Sequence, residues 1–399
     1  MGYVERSLYL NRLMRLKGKP DIKVITGIRR CGKSELMKSF ISYLRKTEPQ
    51  SNIVYIDLMD LDYENLQEYH ALHQYAVDRH MEGVRNYLLV DEVQLCKRFE
   101  IAINSLYSRG IYDIYITGSN AFILSSDLAT LFTGRYFEIH VFPFSFSEYL
   151  LYTEREDIDR AFDDYVLTGG MSGSYIYDTE QERKDYISGV LETIITRDLT
   201  QKYALRDDTA IIKTADFLFD NIGNLTSSSG ISNTLKAGQI PASHITVSNY
   251  IEYLCRAYLF YRVQRYDIRG KELLKTLDKY YYADAGFRYA RLGRRNMDYG
   301  RQYENLVALE LLRKGYSIYV GKLYQKEIDF VVMNEDRKIY IQVCDDLSSE
   351  QTQSREKAPL LSIRDAYPKM IIARTKHESY DIDGIRVVDI ARWLRGDES

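Results

Sequence analysis

The segment Gly27-Ile28-Arg29-Arg30-Cys31-Gly32-Lys33-Ser34 matches G-x-x-x-x-G-K-[ST] in full. These residue types at this spacing suit one task, the holding of a phosphate chain. Two glycines let the backbone curl until its amides face an anion. The lysine ammonium reaches the β and γ oxygens, and the serine hydroxyl is a ligand for Mg²⁺. The expected nucleotide contacts are therefore Gly27, Ile28, Arg29, Arg30, Cys31, Gly32, Lys33, Ser34 and Glu35, with ATP or another nucleoside triphosphate as ligand and Mg²⁺ beside it. Arg29 and Arg30 either touch phosphate or tie the loop down, and the sequence does not choose between these.

A second group is Tyr87-Leu-Leu-Val-Asp91-Glu92, an apolar run that delivers an acidic pair. Asp91 is expected to hold Mg²⁺ with Ser34, directly or through water, and Glu92 to orient and polarise an attacking water. Phosphoryl transfer asks for positioning and charge neutralisation, which these residues supply. In Ile116-Thr117-Gly118-Ser119-Asn120, Asn120 or Thr117 is placed to contact the γ-phosphate or the water from the side; a plain polar turn or helix N-cap is the alternative. Arg135 follows in Thr133-Gly134-Arg135. It is a candidate arginine finger acting in a neighbouring subunit, with a surface salt bridge as the alternative. The expected catalytic residues are Lys33, Glu92, Asn120 and Arg135.

Positioning these groups requires a sheet. Strand-like runs at 23–26, 53–58, 87–90, 114–117 and 136–141 alternate with helical stretches, which argues for a parallel sheet covered on both faces. Ligands of such sheets bind at the carboxyl ends of the strands. From 148 to 202 the pattern is helical, broken at Thr168-Gly169-Gly170. Two helical segments, 231–237 and 245–256, then flank a Gly/Pro turn. Strand-like runs at 258–266 and 279–283 follow with a basic connection, the order of a winged helix. A helix at 303–314 precedes strands at 317–320, 327–333, 339–343 and 369–373, a separate small α/β domain. The expected division is 1–150 for the ATPase-type core, 151–205 for a helical lid or linker, 206–295 for the winged-helix region and 296–399 for the last domain.

Composition excludes several classes. A net charge of −3 over 399 residues is not that of a strongly basic nucleic-acid binder. Cys31, Cys96, Cys255 and Cys344 are far apart, with no CxxC pair, so neither a disulfide framework nor structural zinc is indicated. No apolar run reaches membrane-spanning length, and no signal peptide is visible. A cytoplasmic protein is expected. The 36 tyrosines read as amphipathic core and rim residues.

Together the phrases Thr26-Gly-Ile-Arg-Arg-Cys-Gly-Lys-Ser34, Val90-Asp-Glu-Val-Gln94, Ile116-Thr-Gly-Ser-Asn-Ala121, Thr133-Gly-Arg135, Phe142-Pro-Phe-Ser-Phe146 and Leu167-Thr-Gly-Gly170 resemble the AAA-type ATPases of bacteria and archaea. The likeness covers nearly the whole chain. It implies a P-loop fold with a five-stranded parallel sheet, Walker A at 27–34, Walker B at Asp91 and Glu92, a sensor at Asn120 and an arginine finger at Arg135. It also implies a domain of uncharacterised function after the ATPase core, placed here in the carboxyl-terminal third.

In that third, Glu304, Asp329 and Gln342 stand in an order that resembles the PD-(D/E)XK-nuclease-like fold. An active member holds Mg²⁺ on the carboxylates and uses a lysine to activate water. Here Cys344 takes the lysine position, so a non-cleaving fold used for binding or assembly is expected, with Lys322 or Lys326 as the nearby substitutes. Around the ribbon, Arg262, Arg265, Arg269, Lys271, Lys275 and Lys279 interleave with Tyr261 and Tyr266, a pattern able to track a phosphate backbone. Asp267 and Glu272 dilute it. The expected function is an Mg²⁺-dependent, slowly turning ATPase that works a partner-binding module on DNA or protein, with homo-oligomers as the expected assembly. The alternatives are an ATP-regulated DNA-binding protein with negligible turnover and an ATP-dependent nuclease.

Overall fold

The computed structural model describes residues 4–118, 130, 132–274, 277–294, 297–335 and 337–397. Asn120, the expected sensor, and Lys275 of the basic connection lie outside the described residues. The chain divides after Phe142 into two compact units.

The first unit runs α1 (Ser7–Leu16), β1 (Ile22–Thr26), α2 (Lys33–Thr47), β2 (Asn52–Asp57), α3 (Tyr69–Asp78), β3 (Asn86–Asp91), α4 (Phe99–Arg109), β4 (Asp113–Thr117) and β5 (Tyr136–His140). All five expected strand runs form strands. They build a parallel sheet of order β2-β3-β4-β1-β5. Every residue of β1 and β3 is buried, because a parallel sheet with helical crossovers hides both faces. Ile22, Val24, Ile56, Leu88, Val90, Ile103, Leu106, Ile114 and Ile116 form its core. The register sets Ile25 beside Thr117, Thr26 beside His140 and Val90 beside Ile116. The carboxyl ends of β1, β3, β4 and β5 therefore meet along one edge. The opening helix α1 carries no motif and was not anticipated.

The second unit opens with α5 (Phe146–Thr153), α6 (Ile158–Thr168) and α7 (Glu180–Glu192), which continues as a π-helical stretch, Thr193–Thr200. Next come α8 (Thr209–Asp220), α9 (Ser228–Ala237), α10 (His244–Arg256), β6 (Phe260–Val263), β7 (Arg265–Asp267), β8 (Glu272–Leu273) and β9 (Lys279–Tyr282). The chain closes with α11 (Ala285–Leu292), α12 (Tyr299–Arg313), β10 (Ser317–Leu323), β11 (Lys326–Met333), β12 (Lys338–Cys344), α13 (Glu350–Leu361), β13 (Lys369–Ala373), β14 (Tyr380–Ile382), β15 (Ile385–Asp389) and α14 (Ile390–Arg395). A mixed sheet takes the order β14-β15-β13-β12-β11-β10-β7-β8, and β6 pairs with β9 alone.

The single run expected at 258–266 is thus two strands. It breaks at Gln264, whose carbonyl accepts from the Val320 amide. Ahead of the break β6 lies antiparallel to β9, and after it β7 lies parallel to β10. Besides the adjacent β8, β7 pairs with β10, more than 50 residues away in sequence, so local alternation could not reveal the switch.

The expected break after α6 falls where the backbone is crowded. Gly169 has φ +69, and a Cβ there would stand 2.0 Å from Asp284 Oδ1. Asp284 is buried and accepts from the amides of Gly170 and Gly286. Burial pushes its carboxyl up to about 7. The folded state keeps a proton that the unfolded chain releases near 3.8. This contribution to stability is full below that pH and is lost as pH rises through 7. The thermal midpoint of the wild type is expected to fall more steeply across that window than that of Asp284→Asn. Parallel curves for the two proteins would show that Asp284 stays ionised in the fold.

Candidate nucleotide site

Thr26 ends β1, and the chain turns at once. A Cβ on Gly27 would lie 2.1 Å from the Val141 carbonyl oxygen and 2.8 Å from Cys31 Sγ, so no side chain fits there. Gly32 has φ +95, and α2 begins at the next residue. The loop amides and the positive end of α2 then share one focus. Lys33 is buried, and its Nζ donates to the carbonyls of Gly27 at 3.0 Å and Ile28 at 3.2 Å. An ammonium has three donors, so one remains for an anion.

The other residues of the loop divide by exposure. Ile28 and Cys31 are buried, and burial pushes the Cys31 thiol up, which makes it a packing group. Ser34 is half-buried in the first turn of α2, Arg29 is half-buried, and Arg30 is exposed with φ +66. Glu35 is exposed and pairs with Lys38 at 3.0 Å.

Arg6 was not legible as a site residue. Its guanidinium donates to the carbonyls of Cys31 at 2.8 Å and Phe142 at 2.9 Å, tying the loop to the second residue after β5. It also lies 4.6 Å from the centre of the Tyr9 ring. Nothing in the sequence marks it, because it precedes the motif by 21 residues and joins it only in the fold.

The acidic pair closes the other side of the site. Asp91 is 1 % exposed at the end of β3. The Thr117 hydroxyl donates to Asp91 Oδ1 and accepts from the Glu92 amide at 3.0 Å. The Tyr55 hydroxyl is 3.4 Å from Asp91 Oδ2. Glu92 is half-buried with φ +53, and the Gln94 amide donates to its carboxylate. A non-glycine residue in the left-handed region is strained backbone that surrounding structure must hold. Thr117, considered above as a γ-phosphate contact, is instead committed to both acids. Beside Thr26, His140 is half-buried and its imidazole is pushed down to about 3, mainly by loss of solvation and then by the Lys33 charge, so it stays neutral. Its Nδ1 lies 3.2 Å from Thr26 Oγ1.

Strands β3 and β1 are separated by β4 alone, so their ends stand about 10 Å apart. That gap, with a lysine on one bank and two carboxylates on the other, fits a triphosphate with Mg²⁺ on Ser34 and Asp91. Arg135 is not part of this edge. It precedes β5, roughly 17 Å of strand away from the loop. There it lies over the Tyr107 ring at 5.6 Å and lines a cleft of about 860 Å³ with Lys19, Arg85 and Asp113. It cannot serve its own nucleotide site.

In the second unit the structure brings Glu304, Asp329 and Gln342 together: the Asp329 amide is 3.5 Å from Gln342 Oε1, and both acids meet Lys279. Cys344 is buried, and burial pushes its thiol up. Two basic residues read as phosphate contacts are otherwise engaged. Arg262 pairs with Asp278 at 2.6 Å, and Lys279 is 2 % exposed among carboxylates. Arg269 and Lys271 remain exposed.

The sheet order, the loop after β1 and the acids after β3 define a P-loop nucleoside-triphosphatase fold. A profile for the AAA domain matches residues 19–150, and one for a domain of unknown function (DUF8612) matches residues 159–298. An uncharacterised protein of Haemophilus influenzae is 37% identical over 399 residues, covering 98% of both chains. An uncharacterised protein of Methanocaldococcus jannaschii is 26% identical over 404 residues, covering 97% of this chain and 88% of that one. Among solved structures, a Walker-type ATPase of Pyrococcus abyssi aligns with a TM-score of 0.49 at 15% identity, over 72% of this chain and 95% of that one. This chain belongs to the family of AAA-domain P-loop ATPases that carry this second domain. Among the described residues no helix is long and apolar enough to cross a membrane.

Proposed function

We propose that this chain is an Mg²⁺-dependent ATPase whose nucleotide state is passed to a partner-binding carboxyl-terminal module. The observation that carries this reading is the meeting, on one sheet edge, of Lys33 held by its own loop carbonyls with Asp91 and Glu92 held by Thr117. In this reading the loop amides and Lys33 hold the β and γ phosphates, Ser34 and Asp91 hold Mg²⁺, and Glu92 orients the attacking water and accepts its proton. Bound Mg²⁺ neutralises charge on the transferring group. Asn120 keeps its assignment as the sensor.

The module is read as a helical lid or linker (151–205), a winged helix (206–295) and a non-cleaving nuclease-like domain (296–399). Helices α8, α9 and α10 followed by the β6–β9 ribbon support the second of these, as does the bridge between Thr226 and Asp278. The exposed face of α10 presents His244, Ile245, Ser248, Asn249 and Glu252, beside the exposed N-cap Ser243. Arg256 pairs with Glu252. A face with so little positive charge favours a protein partner over a phosphate backbone, while exposed Arg269 and Lys271 keep DNA as the second candidate.

The test is phosphate release measured against protein concentration, with and without duplex DNA. Because Arg135 lies far from its own loop, it is assigned to a neighbouring subunit. Wild-type specific activity is expected to rise with concentration. Arg135→Ala should stay low throughout, by about 10³-fold at saturation. A monomer active at full rate at every dilution would remove the finger. ATP binding with no phosphate release under any condition would instead identify a nucleotide-regulated binding protein.

A further inference from the structure

We infer that the ammonium of Lys279 stands where a divalent cation would in the acidic pocket of the carboxyl-terminal unit, so that the chain closes this pocket with its own charge. Three carboxylates converge there. Glu304 comes from α12, and Glu327 and Asp329 from β11. Lys279 Nζ lies 2.8 Å from Glu304 Oε1, 2.8 Å from Glu327 Oε1 and 3.6 Å from Asp329 Oδ1. The carboxylates are themselves held in place. Tyr281 donates its hydroxyl to Glu304 Oε1 at 2.5 Å, and the Val343 amide donates to Asp329 Oδ2 at 2.8 Å.

Outer hydrogen bonds of this kind orient carboxylates for a metal, and Mg²⁺ or Mn²⁺ suits an all-oxygen set. An ammonium at these distances fills the same volume, so the two cannot coexist. Nor does the lysine leave easily, since a buried charge stripped of its partners is strongly unfavourable. Of the two lysines expected near this site, Lys326 goes elsewhere: it donates to the Ala358 carbonyl at 3.1 Å and to Ser362 Oγ at 2.6 Å. Lys279 arrives from β9, a strand outside the eight-stranded sheet, so the ion pairs also tie the small ribbon to that sheet. Solvent reaches the cluster through Glu327, whose side chain is 40% exposed, and an ion has the same route. The inference uses the geometry of this cluster alone and stands whether or not the first unit hydrolyses ATP.

The experiment is nucleotide-free Mn²⁺ titration of the full chain, followed by electron paramagnetic resonance, for wild type, Asp329→Asn, Lys279→Met and the Lys279→Met/Asp329→Asn double variant. Wild type should show no Mn²⁺ signal that Asp329→Asn removes. Folded Lys279→Met should gain a site at least about tenfold tighter, the scale on which changes around a metal's ligands alter affinity, and the double variant should lose it. The inference is overturned if wild type binds Mn²⁺ in a manner abolished by Asp329→Asn, a comparison that holds even if Lys279→Met fails to fold. It is also overturned if a folded Lys279→Met gains no site.

Discussion

Replacing Glu92 with glutamine is expected to leave ATP binding unchanged and to lower turnover by about 10²–10⁴-fold, the usual contribution of a positioned general base. The geometry makes this substitution informative. Glutamine keeps the length and shape of the side chain, so the left-handed backbone at Glu92 and its amide bond to Thr117 are undisturbed. What changes is the terminal group. A carboxylate offers only acceptors, whereas an amide presents donors to the same place and cannot take a proton from water. Asp91 remains in position through Thr117, so the proposed metal contact survives. The measurement is single-turnover phosphate release beside equilibrium binding of a fluorescent ATP analogue. Equal hydrolysis rates in variant and wild type would transfer the base role to another group, whereas loss of binding would show that Glu92 holds the site together.

Residues whose neighbours are near in sequence were legible, and residues whose partners come from sheet register were not. The loop at 27–34 could be read because a strand, two glycines, a lysine and a helix follow one another without interruption. Asp91 and Glu92 could be read because an apolar run always presents its end at a sheet edge. Arg6 and His140, and the bonds of Thr117 to Asp91 and Glu92, became visible only when the strands were set side by side. Arg135 shows the limit from the other direction. Its motif was visible, but its location at the amino end of β5, opposite the loop, required the register of Ile22 with Tyr136. Lys279 is the extreme case: a basic residue on a ribbon reads as solvated, and only the packing of β9 against α12 and β11 turns it into the counterion of Glu304 and Asp329. The strands β14 and β15 were missed: β14 has only three residues, and the two face each other across a tight turn at Asp383-Gly384 amid charged residues.

Lys33→Ala is expected to remove the stabilisation of the protein by ATP while leaving the fold of the first unit in place. In the wild type the ammonium is drawn to one position by the carbonyls of Gly27 and Ile28. It therefore meets the phosphates already oriented, with little side-chain entropy left to lose. Alanine deletes the cation and returns both carbonyls to solvent or to loop amides, without altering Gly27, whose tight fit against Val141 sets the turn. A hydrogen bond to a charged group contributes about 1.5–3 kcal/mol, which corresponds to roughly 10–150-fold in affinity. At an ATP concentration one hundred times its Kd, wild type should gain about 2.7 kcal/mol of stability, whereas the variant at the same concentration should gain only about 0.3–1.4 kcal/mol. Thermal unfolding with and without Mg-ATP measures this directly. An unchanged ATP-induced shift would mean that the triphosphate is held by the loop amides and the end of α2 without Lys33. A lowered midpoint in the absence of ATP would mean that the lysine also braces the empty loop through its two carbonyls.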